Sequence, residues 1–393
     1  MRLHGITKMA AGKKIYLDYQ ATTPVDARVG KAMSDWDERS FANPHVNDYM
    51  AGIDAGNAVN KARREVAKAV GAVSGSITFT SGATEANNLA VFGVARAASK
   101  GRKRVITLAS EHKSILEPVR ALKKEGFEAV VIPVGRSGLV NIDKLSAAID
   151  RNTLLVSVMH VNNETGVVQP LAEIADLCHK AGALFHSDCA QSLGKIPLDV
   201  RKIGVDLMTL SSHKAYGPKG IGALYVRPRP KVPIQPLVLG GGQERGLRSG
   251  TLPVPLCVGF GEACRIARAD LPKDMKRIGQ LAGMLIEGIR QAHPKARLNG
   301  SEEQRAPGSF SVCLEGALGE QYLQAFEGLQ LSTGSACTSA STKASSVLKS
   351  YGLSNAQADS SLRIGIGRFT TEEEIRRAIT IIQSGIRKLR IRA

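Results

Sequence analysis

Three short polar clusters directly follow apolar runs in this sequence, and each contains side chains that can bind or transform a small molecule. The first, Thr80-Ser81-Gly82-Ala83-Thr84-Glu85, leads from an apolar run through a glycine turn into a helical pattern. Free backbone N–H groups and the helix dipole make such a turn an anion site, and the Thr84 hydroxyl adds a donor. The turn indicates a phosphate site at Ala83 and Thr84, although many strand-to-helix turns share this pattern without binding anything.

The second and third clusters place a carboxylate and a lysine after two further apolar runs. In His186-Ser187-Asp188-Cys189-Ala190-Gln191, Asp188 could pair with a protonated ring nitrogen and Gln191 could contact a ring oxygen, but capping a helix is the ordinary role of such an aspartate. In Ser211-Ser212-His213-Lys214 the lysine ends an apolar run. Burial there would favour the neutral amine, a nucleophile toward aldehydes, whereas a solvated loop lysine is the plainer alternative.

Together the three clusters supply what pyridoxal phosphate requires of a protein: an anchor for the phosphate, a partner for the pyridine nitrogen and an amine for the aldehyde. Each cluster alone has a more ordinary explanation, and it is their combination that favours this cofactor. The glycine-rich residues 216–222 match neither a Walker nor a dinucleotide-binding fingerprint. We therefore predict a pyridoxal phosphate site built from these clusters, with Lys214 as the covalent attachment point.

A fourth cluster, at about residues 332–346, carries a cysteine among small polar residues. Cys337 lies in Ser335-Ala336-Cys337-Thr338-Ser339, whereas a buried structural thiol normally has apolar neighbours. The composition predicts a mobile, exposed loop with an accessible thiol. The alternative is a flexible linker in which the cysteine is incidental.

Apolar, β-branched runs alternate with helical patterns between about residues 76 and 226, and these elements must position the clusters. Such alternation predicts a mainly parallel α/β sheet that is covered by helices on both faces. Ligands bind to such sheets at the carboxyl ends of the strands, where the three clusters lie. The predicted strands are 77–80, 105–108, 129–133, 154–160, 183–186, 207–210 and 223–226, with helices at 85–99 and 171–181.

Beyond about Cys264 the pattern changes, which predicts a second, smaller α+β domain. A long helix is expected at 275–292, strands near 310–314 and 362–366, and a closing helix at 371–389. We assign residues 16–263 to the large domain, and residues 1–15 and 264–393 to the small domain that carries the Cys337 loop.

The composition restricts the class of protein and its compartment. The 393 residues carry a net charge of +18, but the basic residues are spread along the chain without a zinc-finger or aromatic RNA-binding pattern, so no direct binding of nucleic acid is expected. No apolar run reaches the ~20 residues of a membrane span, and the basic residues 1–14 are interpreted as a solvated tail, with a short leader as the alternative. The six cysteines include no C-x-x-C pair, which argues against a zinc site or a disulfide framework and favours a reducing cytoplasm.

In their order and residue sequence, these segments resemble those of the group I cysteine desulfurases. This group is the housekeeping type of the class V aminotransferase family and feeds iron–sulfur cluster assembly. The resemblance covers nearly the whole chain, and it is specific because many motifs match in order. It implies the aspartate-aminotransferase-like fold, which is fold type I of the pyridoxal phosphate enzymes. Besides the four clusters, the matching segments are Tyr16-Leu17-Asp18-Tyr19-Gln20-Ala21-Thr22-Thr23-Pro24, Ser110-Glu111-His112-Lys113, His160-Val161-Asn162-Asn163-Glu164, Arg248-Ser249-Gly250-Thr251-Leu252-Pro253 and Gly367-Arg368-Phe369-Thr370.

This resemblance implies a role for each matched residue. Lys214, His112 and Cys337 are the catalytic residues, with His112 stacked on the cofactor ring and moving protons. Asn163 and Arg363 hold the carboxylate of the substrate, a role that suits the planar guanidinium. The cofactor-binding residues are Ala83, Thr84, His112, Asn163, Asp188, Gln191, Ser211, His213, Lys214 and Thr251, the last of which reaches the phosphate of the neighbouring subunit in a homodimer.

The implied reaction converts L-cysteine to L-alanine and leaves the sulfur on Cys337 as a persulfide. The sulfur would pass to an iron–sulfur scaffold or to another acceptor protein, such as one that thiolates tRNA. No metal is expected, although Cys337 could transiently bind a cluster during transfer. A selenocysteine lyase or a class V aminotransferase on the same scaffold, and a basic nucleic-acid-binding or scaffold protein, are the alternatives.

Three residues depart from the pattern of many relatives. Tyr49 stands where many have histidine, Ser212 replaces a common glycine, and Cys189 replaces a common alanine or valine. None of them removes a catalytic group, but Cys189 is expected to place a second thiol beside the cofactor. The chain also stops at Ala393, short of the tail that many relatives carry.

Overall fold

The computed structural model describes residues 14–37, 41–98, 101–333 and 344–392, and the strands of these residues form one seven-stranded sheet and two smaller sheets. The strands are β1 (Ile15–Tyr16), β2 (Ile77–Thr80), β3 (Arg104–Leu108), β4 (Glu128–Ile132), β5 (Thr153–Ser157), β6 (Leu184–Asp188), β7 (Leu207–Ser211), β8 (Gly222–Val226), β9 (Arg297–Leu298), β10 (Ser309–Cys313), β11 (Leu329–Gln330) and β12 (Ser361–Gly365).

The α-helices cover these sheets and connect their strands. They are α1 (Ala27–Asp37), α2 (Met50–Ala69), α3 (Ala83–Ala97), α4 (Lys113–Ala121), α5 (Ile142–Ala148), α6 (Leu171–Lys180), α7 (Val200–Ile203), α8 (Val254–Ala292), α9 (Gly319–Ala325), α10 (Ser346–Ser350), α11 (Asn355–Asp359) and α12 (Glu372–Arg392).

The seven-stranded sheet runs in the order β2-β8-β7-β6-β5-β3-β4. Strands β3 to β7 pair in parallel, and β8 runs antiparallel to both of its neighbours, β2 and β7. Because β8 is antiparallel to β7 and β2 is antiparallel to β8, β2 runs in the same direction as the parallel strands. The carboxyl ends of β2, β3, β5, β6 and β7 therefore meet at one edge, and the predicted mainly parallel α/β sheet is confirmed.

Side chains alternate between two apolar cores on the two faces of this sheet. Val105 and Leu155 pack into one core, which includes the buried face of α3, and the next residues along each strand, Ile106 and Val156, pack into the other. This two-residue alternation is the expected geometry of a strand that is buried on both sides. It explains why the strand sequences are apolar almost throughout.

Strand β5 is shorter than the predicted run at 154–160. Its regular part ends at Ser157. Val158 and His160 still donate hydrogen bonds to the carbonyl oxygens of His186 and Asp188, at 3.1 and 3.0 Å. The apolar run thus predicted the hydrogen-bonded segment correctly, but its last residues leave the strand and turn toward the edge of the sheet.

A third core lies between the three-stranded sheet β12-β10-β9 and the helices α8 and α12. Its members include Phe310 and Ile364 from the strands and Leu285 and Ile382 from the helices. The predicted strands near 310–314 and 362–366 and the predicted closing helix at 371–389 correspond to β10, β12 and α12. Strand β1 joins this core through Ile15 and pairs in parallel with β11.

Helix α8 passes without a break from a core of the large sheet to the third core. It begins at Val254, well before the predicted start at 275, and it continues through Pro272. Cys264 packs in one of the two cores of the large sheet, whereas Ile278 and Leu281 pack in the third core. The assignment of a domain boundary at residue 264 stays a prediction, and the change of packing partner occurs within a single helix.

No helix in the described parts of the chain combines the length and the apolar composition needed to cross a membrane.

Candidate active site

A cavity of about 440 Å³ opens at the edge where the carboxyl ends of the parallel strands meet. It is lined by nine of the predicted site residues, Ala83, Thr84, His112, Asn163, Asp188, Gln191, Ser211, His213 and Lys214. Segments that are far apart in sequence thus converge on one space. Three predicted residues are not part of this wall: Thr251 and Arg363 lie elsewhere, and Cys337 lies outside the described residues.

The predicted anion site forms the turn between β2 and α3. Gly82 has φ +155°, a backbone conformation that favours glycine, and a Cβ on Gly222 would lie 2.8 Å from the Cα of Gly82. The backbone N–H of Ser81 donates to the Glu85 carboxylate at 2.8 Å, and Arg248 donates to the same carboxylate at 2.9 Å. The first N–H groups of a helix have no partner within it, and the first residues of α3 line the cavity, so the turn can donate to an anion there.

Two polar atoms of the cavity wall have no partner among the described residues. They are Ser211 Oγ and Asn163 Oδ1, and both residues are less than a tenth exposed. A buried polar atom without a hydrogen bond is unfavourable, so these atoms are best explained by a polar ligand that completes them. Together with the anion turn, Asp188 and Lys214, they form a donor set that fits pyridoxal phosphate.

Lys214 follows β7 in a short 3-10 turn, Ser212–Lys214, that directs the side chain into the cavity. Its Nζ donates to the Gln20 carbonyl oxygen at 2.9 Å. Gln20 belongs to the segment 16–24, which is distant in sequence and packs against this turn, with Thr23 Oγ1 donating to the His213 carbonyl oxygen at 2.9 Å. The segment thus holds the lysine turn in place.

Asp188 lies at the end of β6 and is held at both carboxylate oxygens. Oδ1 accepts from the backbone N–H of Ala190 at 2.9 Å, and Oδ2 accepts from Asn87 Nδ2 at 2.7 Å. The residue is only 6% exposed. A carboxylate with both oxygens bonded is fixed in orientation, as a partner for a cationic ring nitrogen must be. Sequence reasoning missed Asn87, which lies within the helical pattern of α3.

His112 lies at the N-terminus of α4 and accepts the backbone N–H of Ser114 at Nδ1 over 3.2 Å. The same nitrogen is 2.8 Å from Ser114 Oγ. The imidazole is therefore oriented by the helix that it caps, and its ring lines the cavity. Ser114 also lines the cavity and was not predicted.

His213 and Lys195 have shifted pKa values because they are buried and lie near other cations. Burial, followed by Lys214 and Lys219, lowers the pKa of His213 to about 4, so its ring is neutral at pH 7. Burial, followed by Lys214 and Arg363, lowers the pKa of Lys195 to about 7. Lys195 Nζ donates to Gln191 Oε1 at 2.5 Å, and Gln191 Nε2 donates to the Gln20 carbonyl oxygen at 2.8 Å. Both ends of the Gln191 amide are thus engaged, and sequence reasoning missed Lys195.

Arg363 is buried outside the cavity wall, where its guanidinium pairs with Asp18 at 2.9 Å. Its backbone N–H donates to the Ser332 carbonyl oxygen at 2.7 Å, and Ser332 Oγ donates weakly to Asp18 at 3.4 Å. Arg363 therefore adjoins the first residue of the predicted Cys337 loop. At the other end of that loop, Ser345 Oγ donates to the Glu164 carboxylate at 2.6 Å. Glu164 directly follows Asn163 in the sequence.

Thr251 is exposed, at the end of the glycine-rich segment 240–251. A buried ion pair anchors that segment, because Glu244 accepts two hydrogen bonds of 2.6 Å from Arg63 and one from the backbone N–H of Phe79. The adjacent Leu239 is 80% exposed.

The described cysteines are all buried: Cys178, Cys189, Cys257, Cys264 and Cys313. Burial raises the pKa of each of these thiols, to about 12 for Cys189. Cys189 contacts Ser187 and does not line the cavity, so the expected thiol beside the cofactor is turned into the core. Of the other departures, Ser212 is fully buried and Tyr49 is half exposed.

Comparisons with known proteins agree with this geometry. The family model for class-V aminotransferases matches residues 15–378. The chain is 49% identical to cysteine desulfurase IscS of Rickettsia africae (strain ESF-5), over 96% of this chain and 92% of that protein. Its fold is similar to that of a solved NifS-like protein, with a TM-score of 0.87, 34% identity and coverage of 94% of this chain and 98% of the other. It is also similar to SspA solved in complex with cysteine, with a TM-score of 0.81, 36% identity and coverage of 91% and 100%.

Proposed function

Because the chain belongs to the class-V aminotransferase family and is a pyridoxal-phosphate-dependent cysteine desulfurase of group I, we propose which of its residues bind the cofactor, hold L-cysteine and receive the sulfur. Lys214 binds the aldehyde, and Asp188 pairs with the pyridine nitrogen. The start of α3, with Ala83 and Thr84, holds the phosphate together with Ser211 and His213. Gln191 contacts the ring oxygen.

When bound, pyridoxal phosphate supplies an electron sink for the bond that is broken at the substrate Cα. The protein then has to position the substrate and move protons. Arg363 and the side-chain NH₂ of Asn163, a residue of the cavity wall, hold the carboxylate of L-cysteine. Lys214 takes the Cα proton, and His112 moves a further proton beside it.

Cys337 receives the sulfur. Its thiolate attacks the sulfur of the substrate, so that a C–S bond breaks, an S–S bond forms and a proton replaces sulfur on carbon. One L-cysteine and one enzyme thiol thus give one L-alanine and one Cys337 persulfide. The observation that carries this assignment is that the other five cysteines are buried and held as thiols by their raised pKa values.

The active unit is a homodimer with shared sites. A single chain leaves large apolar side chains exposed, among them Phe41 at 101%, Met50 at 68% and Leu239 at 80%. Such residues are typical of a surface that another protein covers. Leu239 adjoins the segment that ends at Thr251, and Thr251 completes the phosphate site of the partner subunit.

The persulfide passes to a second protein, either an iron–sulfur scaffold or another sulfur acceptor, in the cytoplasm. The five buried thiols without a disulfide suit a reducing compartment.

Incubation of the purified protein with L-cysteine and a small thiol reductant tests this function. We expect alanine and sulfide in equal amounts, with a persulfide on Cys337 when the reductant is left out. Release of a keto acid, or of alanine only from selenocysteine, would instead identify an aminotransferase or a selenocysteine lyase.

A further inference from the structure

A chain of hydrogen bonds connects Asp188 to His112 through two side chains that lie behind the cavity wall. Asn87 Nδ2 donates to Asp188 Oδ2 at 2.7 Å and to Ser114 Oγ at 2.8 Å. Ser114 Oγ is in turn 2.8 Å from His112 Nδ1. Asn87 is fully buried on the face of α3 that packs against the sheet. The two site residues are therefore joined by Asn87 and Ser114.

The chemistry of the groups sets the direction of each bond. An amide NH₂ can only donate, so Asn87 uses both of its hydrogens, one on Asp188 and one on Ser114. The opposite orientation of the amide would place its oxygen against the Asp188 carboxylate, two acceptors without a proton between them. Ser114 Oγ accepts from Asn87, and its own proton is then available for His112 Nδ1.

The backbone of Ser114 gives an independent indication of the same direction. Its N–H, which can only donate, points at His112 Nδ1 over 3.2 Å. His112 Nδ1 is therefore an acceptor without a proton, and the proton of the neutral imidazole is on Nε2. Both donors around Nδ1 come from one residue, and that residue is held by Asn87.

The neighbours of Asn87 do not explain its polarity. Ala86, Leu89 and Ala90 of the same helix are buried in the apolar core. A polar side chain among them is unfavourable unless it is hydrogen-bonded. Asn87 Nδ2 donates its two hydrogen bonds to Asp188 and Ser114, both residues of the cavity wall. A residue selected for packing alone would be apolar at this position.

We propose that Asn87 is a positioning residue that orients Asp188 and, through Ser114, keeps His112 as the Nε2–H tautomer, which then presents a proton donor to the cavity. This inference rests on the roles of Asp188 and His112 given under the proposed function. Asn87 does not line the cavity and acts through these two residues.

The tautomer can be measured without turnover. Two-bond ¹⁵N–¹H correlation spectra of the full chain labelled with [¹⁵N]histidine, with and without pyridoxal phosphate, identify which ring nitrogen of His112 carries the proton. His112→Asn assigns the signal. We expect Nε2–H in the parental protein. A proton on Nδ1 in that protein would overturn the proposal.

Two variants test the role of Asn87 and Ser114. Without Asn87, Ser114 Oγ is free to accept from Nδ1–H, and without Ser114 Oγ one of the two donors to Nδ1 is lost while the backbone N–H remains. Asn87→Ala and Ser114→Ala should therefore both increase the Nδ1–H form, an effect that a packing role alone would not produce. We expect Asn87→Ala to lower kcat by about 10–100-fold, the range found for residues that orient metal ligands through hydrogen bonds, and Ser114→Ala to lower it less, because Asn87 still holds Asp188. Ser114→Ala leaves no large void, so it remains informative if Asn87→Ala folds poorly.

Asn88→Ala is the matched control, since Asn88 is the next residue of α3 and its side chain bonds, among the described residues, only to the Thr84 carbonyl oxygen. It should leave the tautomer unchanged. If folded, cofactor-loaded Asn87→Ala and Ser114→Ala both keep the parental kcat and tautomer, the proposal is wrong. If instead the parental protein makes no alanine from cysteine, the proposed function fails while the tautomer measurement still stands.

Discussion

Arg363 and Asp18 form a two-pronged ion pair, in which the guanidinium Nε and Nη2 donate to the two carboxylate oxygens over 3.0 and 3.2 Å. Arg363 is 1% exposed, and burial raises the pKa of Asp18 although the arginine opposes this shift. The guanidinium is therefore held in one orientation by Asp18, and a substrate carboxylate has to bind a fork that is already oriented, and partly occupied, by the protein.

Arg363→Lys should raise the KM for L-cysteine about 10–100-fold and change kcat less. A lysine retains the charge but not the planar fork, and a hydrogen bond to a charged group contributes about 1.5–3 kcal/mol. Steady-state kinetics at saturating cofactor measure both constants. Arg368→Lys is the control, because Arg368 is a buried arginine that pairs with Asp26 and Asp274. An unchanged KM in Arg363→Lys would show that the substrate carboxylate binds elsewhere.

Lys214 should carry pyridoxal phosphate covalently. Borohydride reduction of the yellow protein followed by peptide mapping should place the label on Lys214, and Lys214→Ala should bind the cofactor without becoming labelled. Lys219 is the matched control, since it lines the same cavity but is exposed. Lys219→Ala should be labelled like the parental protein, and a label on Lys219 would refute the assignment.

Cys337→Ser should bind cofactor and L-cysteine normally but form no persulfide. Serine is nearly isosteric but cannot accept sulfur as a persulfide. Mass spectrometry after incubation with L-cysteine detects the added sulfur atom. Cys189→Ala removes a buried thiol that does not line the cavity, so it should form the persulfide at the parental rate. Sulfide release at the parental rate from Cys337→Ser would mean that another group receives the sulfur.

The free energy of unfolding should fall as the pH falls from about 6.5 to 4. Burial lowers the pKa of His186 to about 4, so in this window the unfolded chain binds a proton at that ring and the folded chain does not. His160 behaves alike, for the same reason. Each ring contributes up to about 1.4 kcal/mol per pH unit.

Urea unfolding of the apoprotein at pH 7, 6 and 5 measures this slope, and His186→Asn should reduce it. His160→Asn should reduce the slope in the same way. Parallel pH profiles for the parental protein and His186→Asn would contradict the buried neutral state of His186.

Lys214→Ala and Thr251→Ala protomers should complement each other. If Thr251 serves the site of the partner subunit, a mixed dimer has one site that lacks both groups and one intact site. Each variant alone should be nearly inactive, and mixing by mild unfolding and refolding should restore part of the parental activity. Mixtures that stay inactive, or a monomer by sedimentation at micromolar concentration, would rule out shared sites.

Local sequence was sufficient for the strands and for the clusters that follow them. A run such as residues 207–210 is apolar on both faces, so it predicts a buried strand, and the polar residues that come next have to lie at its carboxyl end. This is why Asp188, Ser211 and Lys214 could be placed on one edge of a sheet from the sequence pattern alone. The start of α8 at Val254 was missed, because a helix that passes from one core to another does not keep a single apolar face.

The sequence by itself determined the type of sheet, the edge at which a ligand binds and the chemical groups available there, because these follow from local periodicity and from the types of neighbouring residues. Only the tertiary structure decided the partners of those groups. Asn87, Lys195 and Asp18 lie in segments that have the pattern of ordinary helix or loop, and they contact Asp188, Gln191 and Arg363. Which face of α3 meets the sheet depends on how the helix packs, and packing is a property of the whole fold that no local pattern contains.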